Sequence, residues 1–426
     1  MGDLPRGAIL IADRLRPSDV ALIDPTRIAG VATDEGGAAD HTSIMLSALG
    51  IPAVIATHGL SEAARDGHFV VIDGNAGTAT LDPSRTTRAE ARRGVALHAS
   101  ERQKLARLRR LPARLASGEP VELQSNLELP AELPLVVQSG ATGIGLLRSE
   151  FLFIATDELP EEAAQATAYA SIVKAMAGDV TTIRLLDWGG EKESAAMRRA
   201  GVGPRERETN PALGLRGLRL LLAHPELLET QFAAILASSL KGPIRVMLPM
   251  VTNIGEFRDA REAYERVGRR LRRRGTKLPV KLPPLGAMIE TPGAALMADA
   301  FALEADFLSI GTNDLTMYAL AVDRASSEVG SLYDPVHPAV LRLIAETTEA
   351  ALRLRKPVSI CGEIAGNPRL APLLLGLGLR SFSMNASALP RVKQAIRAVS
   401  LDDCVRLARR VLDESDPVRI AALING

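Results

Sequence analysis

Aromatic residues are scarce. Phe, Trp and Tyr make up 3% of the 426 residues, too few for the stacking platforms that grip single-stranded nucleic acid. An excess of one charge is missing too: 51 Lys and Arg stand against 50 Asp and Glu, a net charge near +1. That balance excludes an electrostatic nucleic-acid binder and a polybasic membrane protein. The only cysteines are Cys361 and Cys404; they make no disulfide framework, and no CxxC pair is present for zinc. No run of about 18 uninterrupted apolar residues marks a membrane span. The opening "MGDLPRGAILIADRLRPSD" has no basic segment leading into a long apolar one, so it does not read as a signal peptide. The expectation is a soluble cytoplasmic protein with no nucleic acid and no membrane among its partners.

What is present is apolar surface, at 46% of residues, in a chain long enough for about two or three domains. Residues 1–82 form the first. "AILIAD", "GVAT", "PAVIAT" and "FVVIDG" read as strands, and "HTSIMLSAL" as a helix among them. Residues 83–118 change character: rich in Ala, Arg, Leu and Glu, with no Gly or Pro between Gly94 and Pro112, they are expected to be a linker helix. From residue 119 to 426 short strand-like runs recur, most of them followed by a helical stretch: "VELQSN", "GIGLLRSE", "TTIRLLD", "IRVMLPM", "LGAMIE", "DFLSIGTND", "VSICGE" and "SFSMN". Eight such units over roughly 300 residues suit a (β/α)8 TIM-type barrel. A doubly wound α/β sheet is the rival architecture, and the count of eight favours the barrel.

In a barrel, strand ends gather at the C-terminal mouth, where active sites lie. The closing residues here include Asn126, Arg148, Glu150, Arg184, Asp187, Glu290, Asn313, Asp314, Cys361, Glu363 and Asn385. Arg148 and Arg184 carry planar forks suited to phosphate or carboxylate. Glu290 and Asp314 are the hard oxygen donors that Mg2+ takes. Asn313 adds a neutral donor, Arg324 follows in "LAVDR", and Arg216 and Lys192 extend the positive rim. Single charged strand ends often only pair with one another, but two arginines and two carboxylates on different strands describe a site for a small, multiply anionic ligand with one divalent metal. Cys361 in "SICGEIAG" has two readings of equal standing, a reactive acid or nucleophile and a buried structural cysteine. Cys404, in the amphipathic "LDDCVRLARRVL", is a packing residue.

"EGGAADHTSIM" sets His41 between a glycine turn and a helical run. Thr42 and Ser43 can cap amides there, and a helix start suits a phosphate. His41 is then a phosphoryl acceptor or a cap-region histidine bonded to a loop carbonyl; the local stretch alone leaves both open.

"GGAADHTSIM", "GLLRSEFLF", "IRLLDWGGEKE", "NPALGLRGLR", "IETPGAA", "SIGTNDLTMYALAVDR" and "SICGEIAG" together resemble Enzyme I of the phosphoenolpyruvate-dependent sugar phosphotransferase system. The motifs cover nearly the whole chain in the family's order. The resemblance implies a swivelling β/β/α phosphohistidine domain, a linker helix and a phosphoenolpyruvate-binding barrel that dimerises. It implies phosphoenolpyruvate held by Arg148, Arg184, Asn313 and Arg324, with Mg2+ on Glu290 and Asp314. It further implies that His41 takes the phosphoryl group through Nε2, that Cys361 protonates the enolate to pyruvate, and that the carrier protein HPr receives the phosphoryl group. Three features depart from the family: the chain begins after the segment that carries the first strands and the HPr-docking helical module, Asp40 precedes His41, and Ser47 stands where an arginine is usual. They keep two alternatives in view, a non-catalytic phosphoenolpyruvate-binding regulator and a fragment of a pyruvate phosphate dikinase-like enzyme.

Overall fold

A computed structural model describes residues 5–425 apart from 21, 25, 26, 38–40, 155, 157, 190–194, 205–207, 325 and 327. The chain forms two compact units, Met1–Arg110 with Arg324–Gly330, and Leu111–Asp323 with Ser331–Gly426.

The smaller unit is built on a parallel sheet of β1 (Ala8–Ala12), β2 (Ile28–Thr33) and β3 (Ala53–Ile55), in that order. The "HTSIMLSAL" run is helical over His41–Ala48. Thr42 and Ser43, expected to cap amides, donate their hydroxyl protons to the carbonyls of Leu15 and Gly37, at 3.0 and 2.7 Å, and so tie the helix start to neighbouring loops. Asp34, at the exit of β2, accepts hydrogen bonds from the backbone of Leu60 and Ser61 and from the Thr57 hydroxyl. Bonds from Ser61 and Thr57 hold its carboxyl well below the usual range.

An antiparallel hairpin follows, β4 (Val70–Asp73) and β5 (Thr78–Leu81). Its second strand went unread in the sequence because "TATL" is short and only half apolar. Asp73 makes the turn by accepting from the amides of Asn75 and Ala76, an Asx arrangement. The long helix spans Arg85–Ala106, capped by Ser84. It stops well short of residue 118. Pro112 has no amide proton to donate and pushes Leu111 away from helical geometry, so a tight turn at Arg107–Arg110 ends the helix.

The larger unit is a closed parallel barrel, which settles the choice against a doubly wound sheet. Its strands are β6 (Glu122–Leu127), β7 (Gly143–Arg148), β8 (Val180–Arg184), β9 (Ile244–Leu248), β10 (Leu285–Ile289), β11 (Leu308–Gly311), β12 (Val358–Cys361) and β13 (Ser381–Met384). Six fall within the expected runs, while β6 runs one residue past "VELQSN" and β8 starts one residue before "TTIRLLD"; β13 closes on β6 with Ser381 beside Glu122 and Met384 beside Ser125. Parallel strands are buried on both faces, and all five residues of β10 are buried. One face packs outward through residues such as Ala287, Ile289, Leu308 and Ile360. The register sets Met288 beside Ser309, Ser309 beside Ser359, and Gly311 beside Cys361 on the other face. Cys361 packs there with Leu146, Met247, Met288 and Phe307. Among the outer helices, Ile254–Arg273 begins with a capping box made by Asn253 and Glu256, while Cys404 is buried as expected.

Candidate active site

Arg148 and Arg184 are the last residues of β7 and β8, so strand termination alone aims both at the mouth. Arg184 is 3% exposed. It donates through Nη2 to Glu150, and its Nη1 lies 3.5 Å from Asp187. Burial works against its charge, but Glu150 and Asp187 outweigh burial and keep it cationic above its ordinary value. Arg148 is also held cationic, chiefly by Glu128, whose Oε1 lies 3.4 Å from its Nε.

Arg216 sits inside the mouth and not on the positive rim the sequence suggested. Its Nη2 and Nε donate to the two carboxylate oxygens of Asp187 at 2.9 and 3.4 Å. Nη1 donates to Tyr318 Oη at 3.1 Å and lies 3.6 Å from Asp314. This is the bidentate fork that lysine cannot make.

Glu290 follows β10 directly and is 1% exposed. Its Oε1 accepts the Met250 amide at 2.7 Å. Met250 adopts φ +53 to present that amide, a strained conformation of the kind that persists where surrounding structure over-determines it. Burial first, and then the neighbouring charge of Asp314, raise the Glu290 carboxyl well above the ordinary range. Asp314 and Asn313 stand on the first turn of the Thr312–Leu320 helix, one step beyond the strand end the sequence suggested. Asn313 Oδ1 accepts the Glu363 amide at 3.1 Å, so it braces the loop after β12. Gly362 lies in that loop at φ +108, and a Cβ there would come 2.3 Å from Thr312 Oγ1.

Cys361 ends β12 and is 2% exposed. Burial is the main reason its thiol is pushed up to about 11. Its Sγ donates to the Ile310 carbonyl at 3.4 Å. His41 opens the His41–Ala48 helix, and its side chain is outside the described part, as are Asp40, the Ser47 side chain and Lys192. Arg324 groups with the smaller unit. Glu128, Glu132, Met250 and Tyr318 were not foreseen; the only advance signal was the charge of "NLELPAEL" after the first barrel strand.

The donor set fits Mg2+. That ion takes one or two carboxylates and fills its octahedron with water and substrate oxygens. Asp314 is close enough to raise the cost of ionising Glu290. Among the described residues, three arginines meet five carboxylates here, Glu128, Glu150, Asp187, Glu290 and Asp314. Fully ionised, the cluster is two negative charges in excess, a setting that opposes an anionic ligand until a divalent cation joins it. Among the described residues no group of three or more His, Cys, Asp or Glu is placed to hold a metal ion by itself.

Fold and mouth together define a two-unit α/β protein, a small parallel-sheet unit joined to a (β/α)8 barrel with an arginine- and carboxylate-lined mouth. Residues 4–77 match the family described as PEP-utilising enzyme, mobile domain, and residues 102–401 match PEP-utilising enzyme, PEP-binding domain. The phosphoenolpyruvate-protein phosphotransferase of Cupriavidus necator is 40% identical over 424 residues, covering 99% of this chain and 72% of that protein. Its counterpart in Staphylococcus carnosus is 38% identical, covering 98% and 71%, and that of Haemophilus influenzae is 38% identical, covering 100% and 72%. The chain belongs to the phosphoenolpyruvate-protein phosphotransferase family, Enzyme I.

Proposed function

We propose that this chain is a phosphotransferase that moves the phosphoryl group of phosphoenolpyruvate to His41 and releases pyruvate. The observation that carries the reading is the convergence of Arg148, Arg184, Arg216, Glu290, Asp314 and Cys361 at one barrel mouth, in a chain whose other unit matches a mobile domain. In this reading residues 1–82 are the phosphohistidine domain, 83–118 the connection and 119–426 the barrel.

Arg148 and Arg184 bind the phosphate and carboxylate of the substrate, with Asn313 and Arg324 completing the grip and Arg216 and Lys192 supporting it. Glu290 and Asp314 would hold Mg2+, which would supply charge neutralisation at the phosphoryl oxygens. His41 Nε2 attacks phosphorus in line; the P–N bond forms as the bond to the enol oxygen breaks. The enolate takes its methyl proton from Cys361 Sγ, giving pyruvate. Positioning and preorganised charge account for such a transfer, with little covalent work for the barrel. The phosphoryl group then passes to a carrier such as HPr in the cytoplasm, and the protein works as a homodimer through the barrel.

Labelled phosphoenolpyruvate with Mg2+ should leave an acid-labile, base-stable adduct on the protein, absent from His41→Ala. Folded wild-type protein that takes no label would refute the reading.

A further inference from the structure

In the proposed reaction Cys361 gives up its thiol proton and must recover one before it can protonate another enolate. The sulfur is buried, and its apolar neighbours Leu146, Met247, Met288 and Phe307 carry no exchangeable proton, while the charged groups that act on it, Glu290, Arg184 and Arg148, are those assigned to metal and substrate. The hydroxyl of Thr312 is committed to the Cys361 carbonyl at 3.0 Å. Two other hydroxyls lead elsewhere. Ser309 Oγ donates to Cys361 Sγ at 3.7 Å, and Ser359 Oγ donates to Ser309 Oγ at 3.1 Å. Barrel register creates this line: Ser309 and Ser359 are direct partners on β11 and β12, and Ser359 shares a strand face with Cys361 two residues on. Ser309 is 1% exposed, whereas Ser359, nearer the N-terminal end of β12, is only partly buried. The line therefore runs from a buried sulfur to a partly exposed residue set back toward the N-terminal end of β12, with both donors pointing toward sulfur.

We propose that Ser359 and Ser309 form a proton relay that reprotonates Cys361 from the rear of the barrel. The inference rests on Cys361 being the proton donor of the proposed reaction. When Sγ gives its proton to the enolate carbon, the thiolate takes the Ser309 hydroxyl proton. Ser309 takes that of Ser359, and Ser359 takes one from solvent. One proton enters from water and one C–H bond forms. A serine hydroxyl is a weaker acid than a thiol, so the protons shift in concert and no free alkoxide forms; the net change, a proton from solvent onto a buried thiolate, is favourable.

The test follows label through the equilibrium between phosphoenolpyruvate and pyruvate, which needs no carrier protein. Pyruvate carrying carbon-13 and a fully deuterated methyl group is mixed with unlabelled phosphoenolpyruvate, Mg2+ and the full chain. In the reverse direction Cys361 collects a deuteron. With the relay intact, that deuteron washes into water before the next enolate arrives. In Ser309→Ala and Ser359→Ala, carbon-13 should still exchange, but the deuteron should be handed to a second pyruvate. The ratio of transferred to lost deuterium should rise about 100-fold or more, from the lower end of the range that general acid–base groups command. Ser309→Thr and Ser359→Thr, which keep the hydroxyl, should restore washout. A purely structural role would slow carbon exchange without moving the ratio. An unchanged ratio in both alanine variants overturns the relay. Carbon exchange with wild-type washout in Cys361→Ala overturns Cys361 as donor, and no carbon exchange in wild type overturns the phosphotransfer reading itself.

Discussion

Glu132 gives the most direct physical test of the barrel's electrostatics. It lies in the loop after β6, is 5% exposed, and accepts the Glu128 amide on Oε2 at 3.4 Å. Its Oε1 is buried without a hydrogen-bond partner among the described residues. Burial, and after it the charge of Glu128, push the carboxyl from 4.5 up to about 7. Because the folded value is raised, the folded state holds the proton more tightly than the unfolded chain. The associated stability is fully present below pH 4.5 and is lost as pH rises to about 7. A shift of that size corresponds to about 3 kcal/mol. Glu132→Gln is neutral throughout and should lack this slope. At pH 8 its absolute gain will be smaller than that figure, since the amide leaves a buried donor unpaired at a cost of about 1–3 kcal/mol. Urea unfolding of both proteins at half-unit steps from pH 4.5 to 8 isolates the effect, because other groups that titrate in this window cancel in the difference. A difference that stays constant across the window would show that Glu132 is ionised in the fold and would refute the reasoning.

Arg184→Lys should lower kcat/KM about 100-fold or more, because a lysine cannot span Glu150, Asp187 and substrate together; steady-state pyruvate release measures it. Gly362→Ala should destabilise the barrel by about 1–3 kcal/mol through the positive φ alone, more if Thr312 cannot yield, read as a lower urea midpoint at unchanged slope. Glu290→Gln should raise the Mg2+ needed for half-maximal adduct formation at least about tenfold, since loss of even an outer-shell partner costs about 10–100-fold. Adduct formation that keeps its wild-type Mg2+ dependence in that variant would remove Glu290 from the metal site.

The barrel was legible because eight parallel strands buried on both faces must each be written as a short apolar run, and seven of the eight runs here end in a polar or charged residue, "IRVMLPM" being the exception. Arg148, Arg184 and Cys361 could be placed at the mouth for that reason alone. Residues whose role depends on a neighbour distant in sequence could not. Arg216 reads as a surface cation until Asp187, Asp314 and Tyr318 close round it. Glu132 looks like an exposed acid in "LPAELP" until the loop buries it. Ser309 and Ser359 are ordinary strand serines until the register of β11 and β12 sets them side by side. The end of the long helix was missed for a different reason: its composition stays helical past Ala106, and one proline overrides it.

The mouth's arginines are already committed to carboxylates, and that bears on how substrate binds. Arg216 is forked onto Asp187, and Arg184 is shared between Glu150 and Asp187. Asp187 thus fixes two guanidinium groups at once, so it sets their spacing before any ligand arrives. An anion that enters with a divalent cation can draw on the outer edges of these forks without breaking them, since each guanidinium has five donors. The same anion alone would meet the excess negative charge. Asp187→Asn keeps the shape and removes one charge. It should loosen both arginines while making the empty mouth less hostile to anions. Substrate binding measured without Mg2+ should therefore strengthen in that variant even as turnover falls. A loss of both together would mean that arginine geometry, and not the charge balance, limits entry to the mouth.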